Sequence, residues 1–405
     1  MPITITINDI PDYLQDSELC KNIDSNDSFD VPDKYFKKEL VINTFEDFVG
    51  YIRIFDYWMI NKTPIEFYGW IFKNKDKINI DLLNDHFPMN DLINEIKSIT
   101  QGYDDNLCSY FSHIGNFECL KDAHENGYPL DKDMCFIIAS YGHLECLKYV
   151  HENGCEMDFL TCNLAAENGH LECLKYAHEN GTEWDGYICY IAAKNGHLEC
   201  LKYAHKNNCE WSKLTLDIAA ENGHLECLKY ARENGNSWEY DTCNYAARSG
   251  HLDCLKYAHE NGCIWTCDTC NYAARSGHLE CLKYAHENGC RWGKYTCSNA
   301  ARSGHLDCLK YAHENGCVWN YWTCLKAATN GHLDCLKYAH ENGCEWVVKK
   351  ICSGAAVNGH LDCLKYAHEN GGEMNYWACW KVATKGYLEC LKYAHENWCH
   401  FDKLL

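Results

Sequence analysis

A phrase of seven residues, Gly-His-Leu-Glu/Asp-Cys-Leu-Lys, recurs along the chain at a fixed interval and constrains its fold more than any other feature. Its glycine stands at positions 142, 169, 196, 223, 250, 277, 304, 331 and 359, and variant copies follow Gly115 and Gly386. The interval is 27 residues, except for 28 residues between the last two of these glycines. A unit this short cannot bury its own apolar side chains, so neighbouring units must stack to form a core. The sequence therefore predicts eleven stacked units over residues 105–405.

The first half of each unit has the pattern of a short helix with one face of small residues. In one unit, Cys162, Ala165 and Ala166 fall at the spacing i, i+3, i+4, which places them on the same side of a helix. Small side chains there allow a neighbouring helix to approach closely. The helix should end at Gly169, because glycine readily adopts the left-handed conformation of a helix cap.

The second half of the unit predicts another helix, which ends at the capping Gly181. Leu171, Leu174 and Ala177 share its apolar face, and Cys173 lies on the flank of that face. A histidine recurs in the last turn of this helix, where a partial positive charge suits the helix dipole. The unit is therefore expected to be a helix, a turn, a second helix and a connector.

The repeated residues Ala-Ala-x-x-Gly-His-Leu-Glu-x-Leu-Lys and the later Asn-Gly resemble the ankyrin repeat over about 300 of the 405 residues. The usual Thr-Pro-Leu-His start is missing, and so are six residues where that family has a β-hairpin finger. The chain resembles the short, Cys-rich ankyrin proteins of giant DNA viruses of amoebae, and this resemblance implies a viral protein that interacts with its host. The expected fold is an all-α solenoid of about eleven 27-residue helix-turn-helix repeats without full hairpin fingers. No proline interrupts it after Pro129.

Of the 30 cysteines, 28 fall into three columns of the repeat, with ten in the first helix, eleven in the second and seven after the capping glycine. Neighbours in one column should lie about 10 Å apart, too far for a disulfide. We expect these cysteines to be small packing residues. A Cys-rich metal or redox protein is the weaker alternative, and one Cys-x-x-Cys, from Cys267 to Cys270, is its best signal.

Charge and motif content exclude several classes of function. The net charge of −21 disfavours binding to nucleic acid and to anionic membranes. The histidines recur in equal copies at the turn and near the end of the second helix, so they are expected to have structural roles. No candidate catalytic residue, metal site or cofactor site stands out, and we expect a protein that is not an enzyme. Without a signal sequence or an apolar stretch of membrane-spanning length, the chain is expected to be cytoplasmic.

A binding surface can encode specificity only where the repeats differ from one another. The differences concentrate in the connector and on the exposed side of the first helix, which an ankyrin-like stack would present on its concave side. Tyr, Trp and Arg are the residue types that dominate protein interfaces. The sequence therefore predicts a surface for an unknown protein or peptide partner at Tyr240, Arg248, Arg275, Tyr295, Arg302, Tyr321, Trp322, Tyr376, Trp377 and Trp380. A separate tryptophan recurs from Trp184 to Trp346 and is expected to pack between units.

Residues 1–104 lack the repeat and are expected to form a small, mostly helical domain, either a cap on the stack or an adaptor-like domain, followed by the array at 105–405. Ile3, Ile5 and Ile7 alternate with polar residues, which indicates a strand. Residues 44–55, the segment from Thr63 and residues 91–99 have helix-start and helix-stripe patterns. The segment from Phe55 to Pro64 resembles a helical hinge of BTB/Skp-type adaptors. That resemblance implies an alternative function, a ubiquitin-ligase substrate receptor that recruits through residues 1–104.

Overall fold

A computed structural model describes residues 3–5, 29–31, 71, 106–184, 186–239, 241–374 and 376–398. The chain divides into two compact units, residues 1–183 and 184–405, and each is described by itself. The predicted domain boundary between residues 104 and 105 stays a prediction.

The first unit contains a two-stranded antiparallel sheet. Strand β1, Ile3–Ile5, pairs antiparallel with β2, Phe29–Val31, so that Ile3 lies opposite Val31. The strand expected at the alternating isoleucines is confirmed over Ile3–Ile5. Ile71 belongs to a helix and is fully buried. The helices predicted over 44–55, from Thr63 and over 91–99 lie outside the described residues.

The described residues of the first unit also contain three helix pairs. First helices carry odd numbers and second helices even numbers: α1 Leu107–Ile114, α2 Phe117–Glu125, α3 Met134–Tyr141, α4 Leu144–Glu152, α5 Phe159–Glu167 and α6 Leu171–Glu179.

Eight helix pairs form the second unit. They are α7 Tyr187–Asn195, α8 Leu198–Lys206, α9 Thr215–Glu221, α10 Leu225–Glu233, α11 Thr242–Ser249, α12 Leu252–Glu260, α13 Cys267–Ser276, α14 Leu279–Glu287, α15 Thr296–Ser303, α16 Leu306–Glu314, α17 Tyr321–Asn330, α18 Leu333–Glu341, α19 Val348–Val357, α20 Leu361–Glu369, α21 Tyr376–Lys385 and α22 Leu388–Asn397.

Within each unit, first helices pack on first helices of the adjacent repeats, and second helices pack on second helices. The described connectors contain no β-hairpin finger. Stacked helix pairs of this kind confirm the predicted solenoid of repeats.

The cores of the repeats are built from small residues. Cys162, Ala165 and Ala166 are fully buried, as the first-helix pattern predicts. In the second helix, Cys173 is buried, whereas Leu171 is only half-buried. The prediction that Leu171 lies on the apolar face and Cys173 on its flank is therefore wrong for these two residues. Leu171 is the first residue of α6, and a helical side chain points back toward the preceding turn, away from the helix core.

Most of the turn glycines make room for the histidine of the following repeat, and Gly359 makes room for Tyr387. Gly250 has a left-handed backbone, with φ of 83°, and a Cβ built on it would lie 2.4 Å from Nδ1 of His278. In the first unit, Nε2 of His143 lies 3.1 Å from the carbonyl oxygen of His113 and donates to it. The repeated Gly-His pair therefore joins one repeat to the next, which confirms the structural role expected for these histidines.

The second-helix histidines and the recurring tryptophans form a second line of contacts between repeats. The ring of His259 stacks on Trp265 with centroids 3.6 Å apart, and its Nδ1 lies 3.3 Å from the hydroxyl of Tyr284 in the next repeat. Trp238 donates from Nε1 to the carbonyl oxygen of Asn261 at 2.8 Å. The packing role predicted for these tryptophans is confirmed.

Candidate protein-binding face

Three arginines occupy the same solvent-exposed position in successive first helices. Arg248, Arg275 and Arg302 lie in the last turns of α11, α13 and α15, and all three are exposed. Each follows a buried pair of alanines that faces the neighbouring helices. A cation in the last turn is also favoured by the helix dipole. The repeat therefore holds these guanidinium groups on its outer side.

A groove of about 310 Å³ lies between α15 and α17 and brings three of the predicted residues together. It is lined by Tyr295, Ser298, Asn299, Arg302, Trp322 and Lys326. Aromatic surface, two cations and two short polar side chains thus meet in one place. Such a mixture can bury an apolar side chain while its neighbours bind carboxylate and backbone groups.

Lysines lie over the aromatic rings of this face at cation–π distance. The pairs are Lys294 over Tyr295 at 4.7 Å, Lys326 over Trp322 at 5.4 Å, Lys350 over Tyr321 at 4.6 Å and Lys381 over Trp377 at 4.3 Å. The sequence analysis missed these lysines. The spacing i, i+4 from Trp322 to Lys326 and from Trp377 to Lys381 is the signal that could have found two of them.

The predicted aromatic residues are unusually exposed for side chains of their size. The exposed fraction is 49% for Tyr295, 40% for Trp322, 56% for Trp377 and 51% for Trp380, while Tyr321 is intermediate. Tyr240 and the side chain of Tyr376 lie outside the described residues. Exposed aromatic surface in neighbouring repeats is a feature of interaction sites.

Charge is divided between the two sides of these repeats. Helices α15, α17, α19 and α21 contain no acidic residue, and their basic residues are Arg302, Lys326, Lys349, Lys350, Lys381 and Lys385. The second helices are acidic, as in α16, where Asp307 and Glu314 outweigh Lys310. The first-helix side of the last four repeats is therefore basic, although the chain as a whole carries a charge of −21.

A larger hollow, of about 820 Å³, lies beside α1 and α3 in the first unit. Three of its polar side chains pair with one another, since Asp131 accepts from Nδ2 of Asn106 at 2.7 Å and from Oγ of Ser109 at 2.6 Å. Polar side chains that already hydrogen-bond to one another bind a ligand less readily than the cations of the α15–α17 groove.

The cysteines of the described residues are buried thiols, with two exceptions. Cys267 is exposed, and Cys379 is disulfide-bonded, which corrects its assignment as a packing thiol. Burial raises the pKa of Cys281 to about 12, so this thiol stays protonated at neutral pH and is a poor metal ligand. Within the part of the chain that the structure describes, no three His, Cys, Asp or Glu residues could hold a metal ion.

One buried acid has a shifted pKa, which is common at active sites. Burial raises the pKa of Asp217 to about 6, and the hydroxyl of Thr242 donates a hydrogen bond to it. The same contact recurs two more times without an acid, where Thr269 donates to Asn244 at 2.7 Å and Thr296 donates to Asn271 at 2.8 Å. Asp217 therefore belongs to a structural line of hydrogen bonds between first helices.

The fold and this face define a helical repeat protein with an exposed binding surface. A family model for ankyrin repeats matches three times, at residues 162–242, 189–268 and 270–350. These residues of the chain are therefore ankyrin repeats. Ankyrin repeats indicate a scaffold for protein–protein interaction.

Among solved structures, the chain is similar to the human ASB11 ankyrin repeat domain. The two share 20% sequence identity over 39% of this chain and 84% of that chain, with a TM-score of 0.34. A search of curated proteins found no match. The described residues include no helix that is long and apolar enough to span a membrane. The viral origin and the cytoplasmic location stay predictions.

Proposed function

We propose that this protein is a non-catalytic scaffold that binds an extended, acidic segment of a partner protein along the first helices from α15 to α21. The groove between α15 and α17 carries the proposal, because it joins exposed Trp322 to Arg302 and Lys326 on one surface. An aromatic side chain beside two cations suits a peptide that has apolar and acidic residues close together.

The division of charge supports an acidic partner. A basic first-helix side within an acidic protein attracts a negatively charged segment to that side, while the acidic second helices repel it. The extent of the surface supports an extended segment, since Lys350 over Tyr321 continues the groove from α17 toward α19. Arg248 and Arg275 supply further cations in α11 and α13.

The absence of a catalytic role is part of the same proposal. The histidines and the buried acid Asp217 that could do chemistry are engaged in contacts that recur between repeats. The alternative, a ubiquitin-ligase substrate receptor, depends on residues 55–64, which lie outside the described residues. No contact in the described residues favours it, and co-purification with a cullin-type component would be its first support.

Selection from a random peptide-display library against the full chain tests the proposal. Before each round, the library is depleted on the double variant R302E/W322A, so that only peptides requiring the groove are retained. The expected result is enrichment of peptides that combine Asp or Glu with an apolar residue. Enrichment of basic peptides, or no difference in recovery between the wild type and the variant, would contradict the proposal.

A further inference from the structure

Six free first-helix cysteines among the described residues are followed, 20 residues later, by a free cysteine in the connector column of the same repeat. The pairs are 135 with 155, 189 with 209, 243 with 263, 270 with 290, 297 with 317 and 324 with 344. The spacing of about 10 Å that excludes a disulfide applies to thiols of one column. These pairs instead join the first-helix column to the connector column.

Close contact within the pairs is repeated from one repeat to the next. Sγ of Cys297 lies 3.7 Å from the carbonyl oxygen of Cys317, and the equivalent distance from Cys135 to Cys155 is 3.6 Å. Each of these first-helix sulfurs therefore lies beside the backbone of the connector cysteine in its own repeat.

One repeat that departs from the pattern indicates the same proximity. In it, Gly372 replaces the connector cysteine, and a Cβ built on Gly372 would overlap Sγ of Cys352. The fold of the repeat therefore places the connector position within bonding reach of the first-helix thiol.

We propose that these thiol pairs are sites of reversible disulfide formation within single repeats when the protein meets a peroxide. The connector thiolate attacks one peroxide oxygen and becomes a sulfenic acid, and the other oxygen leaves as hydroxide, which takes up a proton to form water. The first-helix thiol then attacks the sulfenic sulfur, the S–S bond forms, and the hydroxyl leaves as a second water. Both sulfurs are oxidised and both peroxide oxygens are reduced.

The order of these two steps follows from exposure and hydrogen bonding. Connector cysteines retain slightly more exposure than first-helix cysteines, 3% for Cys317 against 2% for Cys297 and 3% for Cys344 against 0% for Cys324. The hydrogen bond between the partners lowers the pKa of Cys317 and raises that of Cys297. In the repeats whose connector thiol has a lowered pKa, those of Cys263, Cys290, Cys317 and Cys344, the connector sulfur is thus the nucleophile and the first-helix thiol is the resolving group.

Mass spectrometry of the full chain tests the proposal. The reduced protein is treated with hydrogen peroxide while folded, its remaining thiols are alkylated after unfolding, and disulfide-linked peptides are mapped. The expected links join 270 with 290, 297 with 317 and 324 with 344, with a loss of about 2 Da for each link. Second-helix thiols such as Cys308, and the unpaired Cys162, should remain open to alkylation. Oxidation of the exposed Cys267 reports that the peroxide reached the protein.

Three variants make the outcome specific. C317S should abolish the link at Cys297, and C308S should leave that link unchanged. T182C should create a new link to Cys162, because Thr182 occupies the connector position of that repeat. Links between different repeats, links that form only after unfolding, or oxidation of Cys267 with no pair oxidised would each overturn the proposal.

Discussion

Replacing Asp217 with Asn should stabilise the second unit at neutral pH and leave it nearly unchanged in acid. The side chain of Asp217 is only 5% exposed, and it accepts a hydrogen bond from Thr242. Burial raises its pKa from 3.8 to about 6, Thr242 partly offsets that rise, and the charge of Asp241 adds to it. The folded protein therefore holds the proton of this carboxyl more tightly than the unfolded chain does.

The size of the effect follows from the two pKa values. Because the folded state binds the proton more tightly, stability is greatest below pH 3.8 and falls as the pH rises through about 6. A difference of about two pKa units corresponds to a loss of about 3 kcal/mol at pH 7 and above. An asparagine does not ionise, so D217N should remove up to about 3 kcal/mol of this loss at neutral pH.

The stability gained by D217N depends on whether the amide group of the new asparagine finds a hydrogen-bond acceptor. Asn244 and Asn271, which replace Asp217 in the next two repeats, each donate from Nδ2 to an aspartate three residues earlier, at 3.0 and 2.9 Å. The residue three before Asp217 is Leu214, which has no acceptor in its side chain. A buried amide hydrogen without a partner costs about 1 kcal/mol or more, so D217N alone should gain about 1–2 kcal/mol.

The double variant L214D/D217N recreates the arrangement of Asp241 and Asn244 and should recover the larger gain. L214D alone should destabilise the protein, since it adds a negative charge close to the buried Asp217. The expected coupling between the two substitutions is therefore favourable, and a double-mutant cycle measures it.

Urea denaturation at about pH 4 and about pH 7.5 is the assay, combined with hydrogen exchange of the amides in α9 and α11. Exchange localises the change, which matters because long repeat arrays do not always unfold in one step. The amides of α19 serve as an internal reference. A D217N effect that is equal at the two pH values, or a loss of stability at pH 7.5 in both D217N and L214D/D217N, would refute the reasoning.

Two further changes test the contacts between repeats. G277A should destabilise the protein by several kcal/mol, because its Cβ would lie 2.5 Å from the ring of His305 in addition to the strain of a left-handed alanine, whereas the control G289A adds only the strain, about 1 kcal/mol. Thermal unfolding of the two variants should separate them clearly, and equal losses would contradict the packing argument. W292A removes a ring stacked 3.9 Å from His286 and should cost about 1–3 kcal/mol in urea denaturation, while an unchanged midpoint would show that the stack contributes no stability.

Much of the fold could be predicted from the sequence because the period itself encodes it. Equal residues 27 positions apart must occupy equal environments, so the burial of Cys162, Ala165 and Ala166 in one repeat predicts the same columns in the others. Which of Leu171 and Cys173 is more deeply buried could not be predicted in this way, since it depends on the residue at which the helix begins. A difference of one residue at that end decides which side chain faces the core.

Contacts between residues of different columns could not be predicted from the sequence. The period shows which residues are equivalent, but it does not show how far one repeat is shifted against the next. That shift brings Gly250 to His278 and Asn244 to Thr269. The period also does not show how a single repeat folds back on itself to bring Cys297 to Cys317. For the candidate face, residue type was enough to select Trp322 and Arg302. The lysines that complete it required the positions of neighbouring helices.

The affinity of a selected acidic peptide for matched variants of the full chain tests the central claim most directly. Isothermal titration should show binding to the wild type weakened at least 30-fold, roughly 2 kcal/mol, in R302E/W322A. The control K283E makes the same charge reversal on α14, where Lys283 pairs with Glu280 at 2.9 Å, and should bind within about twofold of the wild type. Equal losses in R302E/W322A and K283E would mean that net charge alone drives binding. An unchanged affinity in R302E/W322A would place the binding site elsewhere.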